Sequence, residues 1–183
     1  VGGYALESSP ATPFTSYSSN SESIFSIENS SDDNGSVNGA MSAMMSCRDG
    51  ARAIITSSPT LYNSSYWLED DKRRALLMYR ESDKYYFCDK YQNPTTREEY
   101  NPIIRYAEVL LNYAEAALRK DDSTLALELL NAVRNRSLAN PATQAYEAAD
   151  FATTKDMLEA ILWERRIEFH GEGRRWEDIH RLA

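Results

Sequence analysis

The chain has 183 residues, a formal net charge of −8, 42% hydrophobic and 26% charged residues. That composition is ordinary for a globular domain with a sizeable core. The acidic balance, with no basic patch to offset it, argues against nucleic acid or an anionic membrane surface as a partner. Cys47 and Cys88 are the only cysteines and have no CxxC spacing, so one disulfide and two free thiols both remain open. No run approaches the length of a membrane span. The sequence starts at Val1 rather than Met, and we read it as part of a longer chain.

Residues 1 to about 70 are rich in Ser, Asn and Gly, with Pro10, Pro13 and Pro59. This stretch is too punctuated for long helices. Tyr4, Phe14, Ile24, Phe25 and Ile27 nevertheless supply anchors along it, against the reading of a disordered tail. Ser23 to Glu28 alternates as a short strand does. Asn29 to Gly39 carries every turn signal of a loop. Residues 75–91 read as a β-hairpin, with RALLMYR and KYYFCDKY as β-prone arms around Glu81-Ser82-Asp83.

From Asn101 the pattern changes to helical. Pro102 suits a first helical turn. Ile103, Tyr106, Leu110, Leu111, Ala114, Ala117 and Leu118 then fall on one apolar face, opposite Arg105, Glu108, Asn112, Glu115 and Arg119. Asp121, Asp122 and Ser123 offer acceptors for the start of a second helix, which carries Leu125, Ala126, Leu129, Leu130 and Val133 and ends near Ser137. A connector of about four residues forces the two helices to lie antiparallel. Beyond the Pro141 loop, Thr153 with Asp156 forms a capping-box pattern for a third helix. That helix ends at Gly171, and a short fourth starts near Arg174. The expected architecture is mainly α, with tetratricopeptide-like helical hairpins, long irregular loops and a small β-hairpin. Residues 1–100 form its loop-rich part and 101–183 its helical part, in one compact unit.

The third helix mixes charge with apolar surface. Glu164, Arg165 and Glu168 fall among positions that face the core, where a charge must be paired. We expect an ion-pair network of Glu164, Arg165 and Glu168 with Arg174 and Arg175, just past the glycines. Glu164 and Glu168 are one turn apart and could instead divide acid and base roles. Their place on the packing face favours the structural role. Glu177-x-x-His180 is half of a di-iron helical motif without its matching half, so no metal is expected. Asp32-Asp33-Asn34-Gly35 lacks the register of a calcium loop. No nucleophile elbow or phosphate-cradling glycine loop is present, and no cofactor is expected.

A sugar site needs an aromatic plane flanked by hydrogen-bonding groups. Tyr62, Asn63, Tyr66 and Trp67 have that composition, as do Asn34, Asn38 and Arg48 near the polar turn. The competing reading is that Tyr62 and Trp67 only pin the loops to the helices.

Several segments, in order, resemble the SusD/RagB family of cell-surface nutrient-binding lipoproteins of Bacteroidetes-type bacteria. They are SESIF at 21–25, DDKR at 70–73, RYAEVLL at 105–111 with Ala114-Glu115-Ala116, LNAVRNR at 130–136, Glu164-Arg165-Arg166 with Glu168, and EGRRWED at 172–178. The resemblance implies a tetratricopeptide-like fold and non-catalytic capture of glycans or related nutrients. It also implies an outer-membrane location through a lipid anchor outside this chain, and delivery to a SusC-like TonB-dependent transporter. The alternatives are a helical-hairpin scaffold for protein partners and, more weakly, a hydrolase using Glu164 and Glu168.

Overall fold

The computed structural model describes residues 2–182. In its first third, short elements punctuate the loops: α1 (Thr12–Thr15), strand β1 (Ser23–Ile27), α2 (Ser36–Gly39), α3 (Met41–Met45) and α4 (Pro59–Tyr62). A 3-10 turn at Lys72–Leu76 runs into the hairpin β2 (Leu77–Arg80) and β3 (Tyr85–Cys88). Then come β4 (Asn101–Arg105), α5 (Tyr106–Leu118), α6 (Ser123–Asn135), α7 (Pro141–Gln144), a 3-10 turn at Ala148–Asp150, α8 (Thr154–Glu168) and α9 (Arg174–Arg181).

The core lies where α5 and α6 form an antiparallel hairpin and α8 packs across both. Ala107, Leu111, Ala114, Ala117 and Leu118 meet Ala126, Leu130 and Val133, then Met157, Ala160, Ile161 and Phe169. The alanines let the helix axes approach, and each buried Leu or Ile contributes about 1.5–3 kcal/mol. Asp122 caps α6 by accepting from the Leu125 N–H at 3.0 Å. Thr153 and Asp156 form the expected reciprocal capping box on α8: the Asp156 N–H donates to Thr153 Oγ1 at 3.2 Å, and the Thr153 N–H to Asp156 Oδ2 at 2.8 Å.

The hairpin also forms, in the register Leu77↔Cys88 to Arg80↔Tyr85, with a turn at 81–84 in which Lys84 takes φ 60°. The first third of the chain is packed rather than loose. Phe14 is buried edge-on against Tyr91, with ring centroids 5.5 Å apart. Leu61 and Trp67 close a second apolar cluster with Ile167 of α8.

One boundary needs correction. Helix was expected from Pro102, but Asn101–Arg105 is a strand, paired antiparallel with β1, and α5 starts at Tyr106. The partner comes from the N-terminal third, and the β-branched Ile103 and Ile104 suit the extended form. The Tyr106 N–H then donates to the Glu22 carbonyl at 2.9 Å, carrying the pairing to the helix boundary. Local helical pattern yields here to a long-range strand partner.

Candidate functional site

The charges of α8 end in a sealed cluster. Asp71, Glu22, Glu164, Glu168 and Glu172 face Arg73, Arg105, Arg134, Arg136 and Lys90. Arg73 reaches Asp71 at 2.7 Å and Glu168 at 3.0 Å, and also grips Glu164. Arg105 reaches Glu168 at 2.9 Å and Glu172 at 2.8 Å, and also holds Glu22. Arg136 bridges Glu22 and Glu168, while Lys90 pairs with Glu172. Glu164 and Glu168 are 1% and 2% exposed, so neither lines a cleft. Burial alone would raise the Glu168 pKa, but the charges of Arg136, Arg105 and Arg73 hold it well below the usual carboxylate range. A sealed carboxylate held ionised by three arginines is placed as an ion-pair partner and not as a general acid.

The network is therefore present, but its arginines are not the ones expected. Arg174 and Arg175 stand outside it. Gly171 and Gly173, at φ 78° and 82°, turn the chain away from the cluster before α9 begins. Arg174 pairs with Glu108 at 3.1 Å and Glu177 at 3.3 Å, and Arg175 makes no ion pair among the described residues. Arg165 forms a separate pair with Asp178 at 3.0 Å. The true partners come from β4, α6 and the segment before β2, far away in sequence.

The residues expected to bind sugar do not converge on one place. Trp67 is 2% exposed, packed on Leu61 and Ile167 and covered by the Arg74 guanidinium at 4.6 Å, so it is a core residue and not a platform. Tyr66 is half-buried and stacked on Trp163, at 5.3 Å and 10°. Tyr62 meets Tyr86 edge-on at 4.8 Å, and Asn63 beside it is exposed. Asn34 spends its amide on its own loop and on the 96–97 segment, donating to Ser30 O at 2.8 Å and Thr96 O at 3.3 Å. Asn38 accepts from Arg52 at the surface. Arg48 makes a forked pair with Asp89, at 2.8 and 2.7 Å, on the wall of a groove of about 510 Å³ with Gln92, Asn93 and Thr95.

A larger groove, about 850 Å³, opens between the N-terminal segment and β1. Tyr17 and Tyr100 meet in it at 5.2 Å and 49°, and Phe25, 56% exposed, stands beside them. Ser18, Ser19, Asn20, Ser21, Glu7 and Glu28 provide its polar rim. The hydroxyls of Ser23 and Ser26, also in its lining, have no hydrogen-bond partner. Sequence reasoning missed this site, because Tyr17 and Tyr100 are brought together by the β1–β4 pairing that the helical reading of Pro102 concealed.

Cys47 and Cys88 are free thiols, and burial is the main cause raising the pKa of each. Among the described residues no helix is long and apolar enough to cross a membrane.

The architecture defines a helical-hairpin scaffold with a loop-rich, grooved flank. Residues 69–183 match the model of the SusD family, and the chain belongs to that family. A SusD superfamily protein from Bacteroides fragilis superposes on the whole chain with TM-score 0.83 and 28% identity, using 41% of its own length. A putative sugar binding protein from Bacteroides vulgatus covers 98% of this chain at TM-score 0.78 and 25% identity, over 39% of its own length. Surface glycan-binding protein A from Bacteroides thetaiotaomicron, in complex with laminarihexaose, shares the fold at TM-score 0.72 and 22% identity, over 100% of this chain and 47% of its own. The chain thus spans less than half the length of these structures. No protein of curated function matches it.

Proposed function

We propose that this chain belongs to a non-catalytic glycan-binding protein of the cell surface, held at the outer membrane by a lipid anchor. It delivers its ligand to a SusC-like TonB-dependent transporter. Membership of a glycan-binding family supports the reading. The observation that carries it is the Tyr17–Tyr100 groove. A sugar presents an apolar C–H face and a rim of hydroxyls, and the groove offers tyrosine and phenylalanine rings edged by serine, asparagine and carboxylate groups. Tyr62 and Asn63, and Arg48 in its own groove with Gln92 and Asn93, are candidates for outlying contacts.

The test is calorimetric titration of the full-length protein with neutral oligosaccharides, laminarihexaose among them. Binding is expected, and Tyr17→Ala and Tyr100→Ala should weaken it at least roughly tenfold, the loss of one to two stacking contacts, at a stability cost of no more than about 1–2 kcal/mol for a partly exposed aromatic pair. No binding across the panel, or binding indifferent to both substitutions, would overturn the assignment. Co-purification with a large outer-membrane barrel protein tests the delivery step.

A second reading has one observation in its favour. Trp176, 70% exposed, and Ile179, 47% exposed, project from α9, while Tyr113 on α5 is 52% exposed. Large exposed apolar side chains of this kind suit a protein partner, and a helical-hairpin scaffold would use them.

A further inference from the structure

Two cavities meet at the elbow between α8 and α9, of about 270 and 180 Å³. Arg166 and Arg175 line both. Neither guanidinium makes an ion pair or a side-chain hydrogen bond among the described residues, in a chain where most other arginines are paired with acids. Arg166 is nevertheless held in place. Its guanidinium lies 4.8 Å over the Trp163 ring, whose stack with Tyr66 is 5.3 Å between centroids. Stacking fixes the plane of the fork while leaving its in-plane N–H donors free.

We propose that this elbow is a receptor for an oxyanion, a carboxylate or sulfate group carried on a ligand, taken between the forks of Arg166 and Arg175. Glu159 lines the smaller cavity and pairs with neither arginine, but among the described residues no carboxylate lines the larger one, so there two like charges face a cavity without a counter-charge, a standing cost that an anion removes. Burial and then the Arg175 charge already push the Arg166 pKa down. The forked geometry matches a planar or tetrahedral oxyanion with two parallel donors. Ser58 and Thr56 line the larger cavity and add hydroxyl donors. Acidic sugars, either uronates or sulfate esters, fit this chemistry, whereas neutral sugars gain nothing from it. The elbow is separate from the Tyr17–Tyr100 groove, so the assignment stands whether or not that groove takes a neutral glycan.

The test uses full-length protein at low ionic strength, titrated calorimetrically with sodium sulfate, glucuronate and, as the neutral control, glucose. Tryptophan fluorescence gives a second readout through Trp163. Sulfate or glucuronate should bind, and the tighter of the two identifies the group. Glucose should not compete. Arg166→Gln with Arg175→Gln should weaken binding by at least roughly tenfold, the scale of one lost charge-assisted contact. The exposed Arg175→Gln alone should weaken it less, and its melt should match the parent because no ion pair is lost. Failure of both anions to bind, or equal binding by the double variant, would overturn the assignment while leaving the neutral-glycan reading untouched.

Discussion

Arg105 Nη1 donates to Glu168 Oε1 at 2.9 Å, joining the last residue of β4 to the last residue of α8. The same guanidinium holds Glu22 and Glu172, so one side chain ties the N-terminal segment, the strand, the helix and the elbow together. Glu168 in turn accepts from Arg73 and Arg136. Glu168→Ala leaves those three arginines buried with too few acceptors, and should destabilise the fold by about 3–5 kcal/mol. Chemical denaturation reads this directly. A loss below about 1 kcal/mol, the scale of an exposed pair, would mean that the cluster is solvated.

This cluster also shows what could be read from the sequence and what could not. Buried charge on α8 was legible, because Glu164, Arg165 and Glu168 interrupt an apolar face at helical spacing. Its partners were not. Arg73 lies 91 positions from Glu164, and only the fold brings them together. Local signals point to Arg174 and Arg175 because they are near in sequence. The same limit governs the rest. Helices α5, α6 and α8, the capping box at Thr153 and the β2–β3 hairpin follow from period and turn chemistry within each segment. β4 and the Tyr17–Tyr100 groove depend on a strand partner almost eighty residues away, which no local pattern reports.

His170 makes the stability depend on pH. Burial, then Lys90, lower its pKa from 6.5 to about 4; Glu172 opposes this and Arg166 adds to it. Ser57 Oγ lies 2.8 Å from Nε2. The unfolded chain takes up a proton as pH falls through about 6.5, and the folded chain only near 4, so stability is full above the first value and lost between the two. The loss should approach about 3 kcal/mol. Glu168 and Glu172, whose pKa values are lowered, add a second decline that begins only below about 4.5. Melting temperatures measured from pH 7 to 3 should therefore fall in two stages, and His170→Asn should remove the first. A flat profile between pH 6.5 and 5 in the parent protein would contradict this.

The two elbow glycines should differ in what they tolerate. Both have left-handed backbone, but a Cβ on Gly171 would lie 2.5 Å from Cys88 Sγ, whereas one on Gly173 meets nothing within 4 Å. Gly173→Ala should cost only the conformational penalty of about 1 kcal/mol. Gly171→Ala must also displace the buried Cys88 side chain, and should cost about 2–4 kcal/mol in total. Adding Cys88→Ala should recover part of the Gly171→Ala loss and none of the Gly173→Ala loss. Equal melts for the two single variants would show that the Cys88 contact yields freely.

Trp67 and Tyr62 separate packing from recognition. Trp67 is enclosed by Leu61, Ile167 and the Arg74 guanidinium, and no ring face remains for a ligand. Trp67→Ala should therefore cost about 3–5 kcal/mol, as expected for a large side chain removed from a packed core. At temperatures where the variant stays folded, glycan affinity should equal that of the parent. Tyr62 is half-buried against Tyr86, so Tyr62→Ala should cost no more than about 1–2 kcal/mol, within the range of a partly exposed aromatic contact. Paired denaturation and titration curves for the two variants measure both quantities. If Trp67→Ala loses affinity while its melt is unchanged, the ring is accessible to ligand and the core assignment fails.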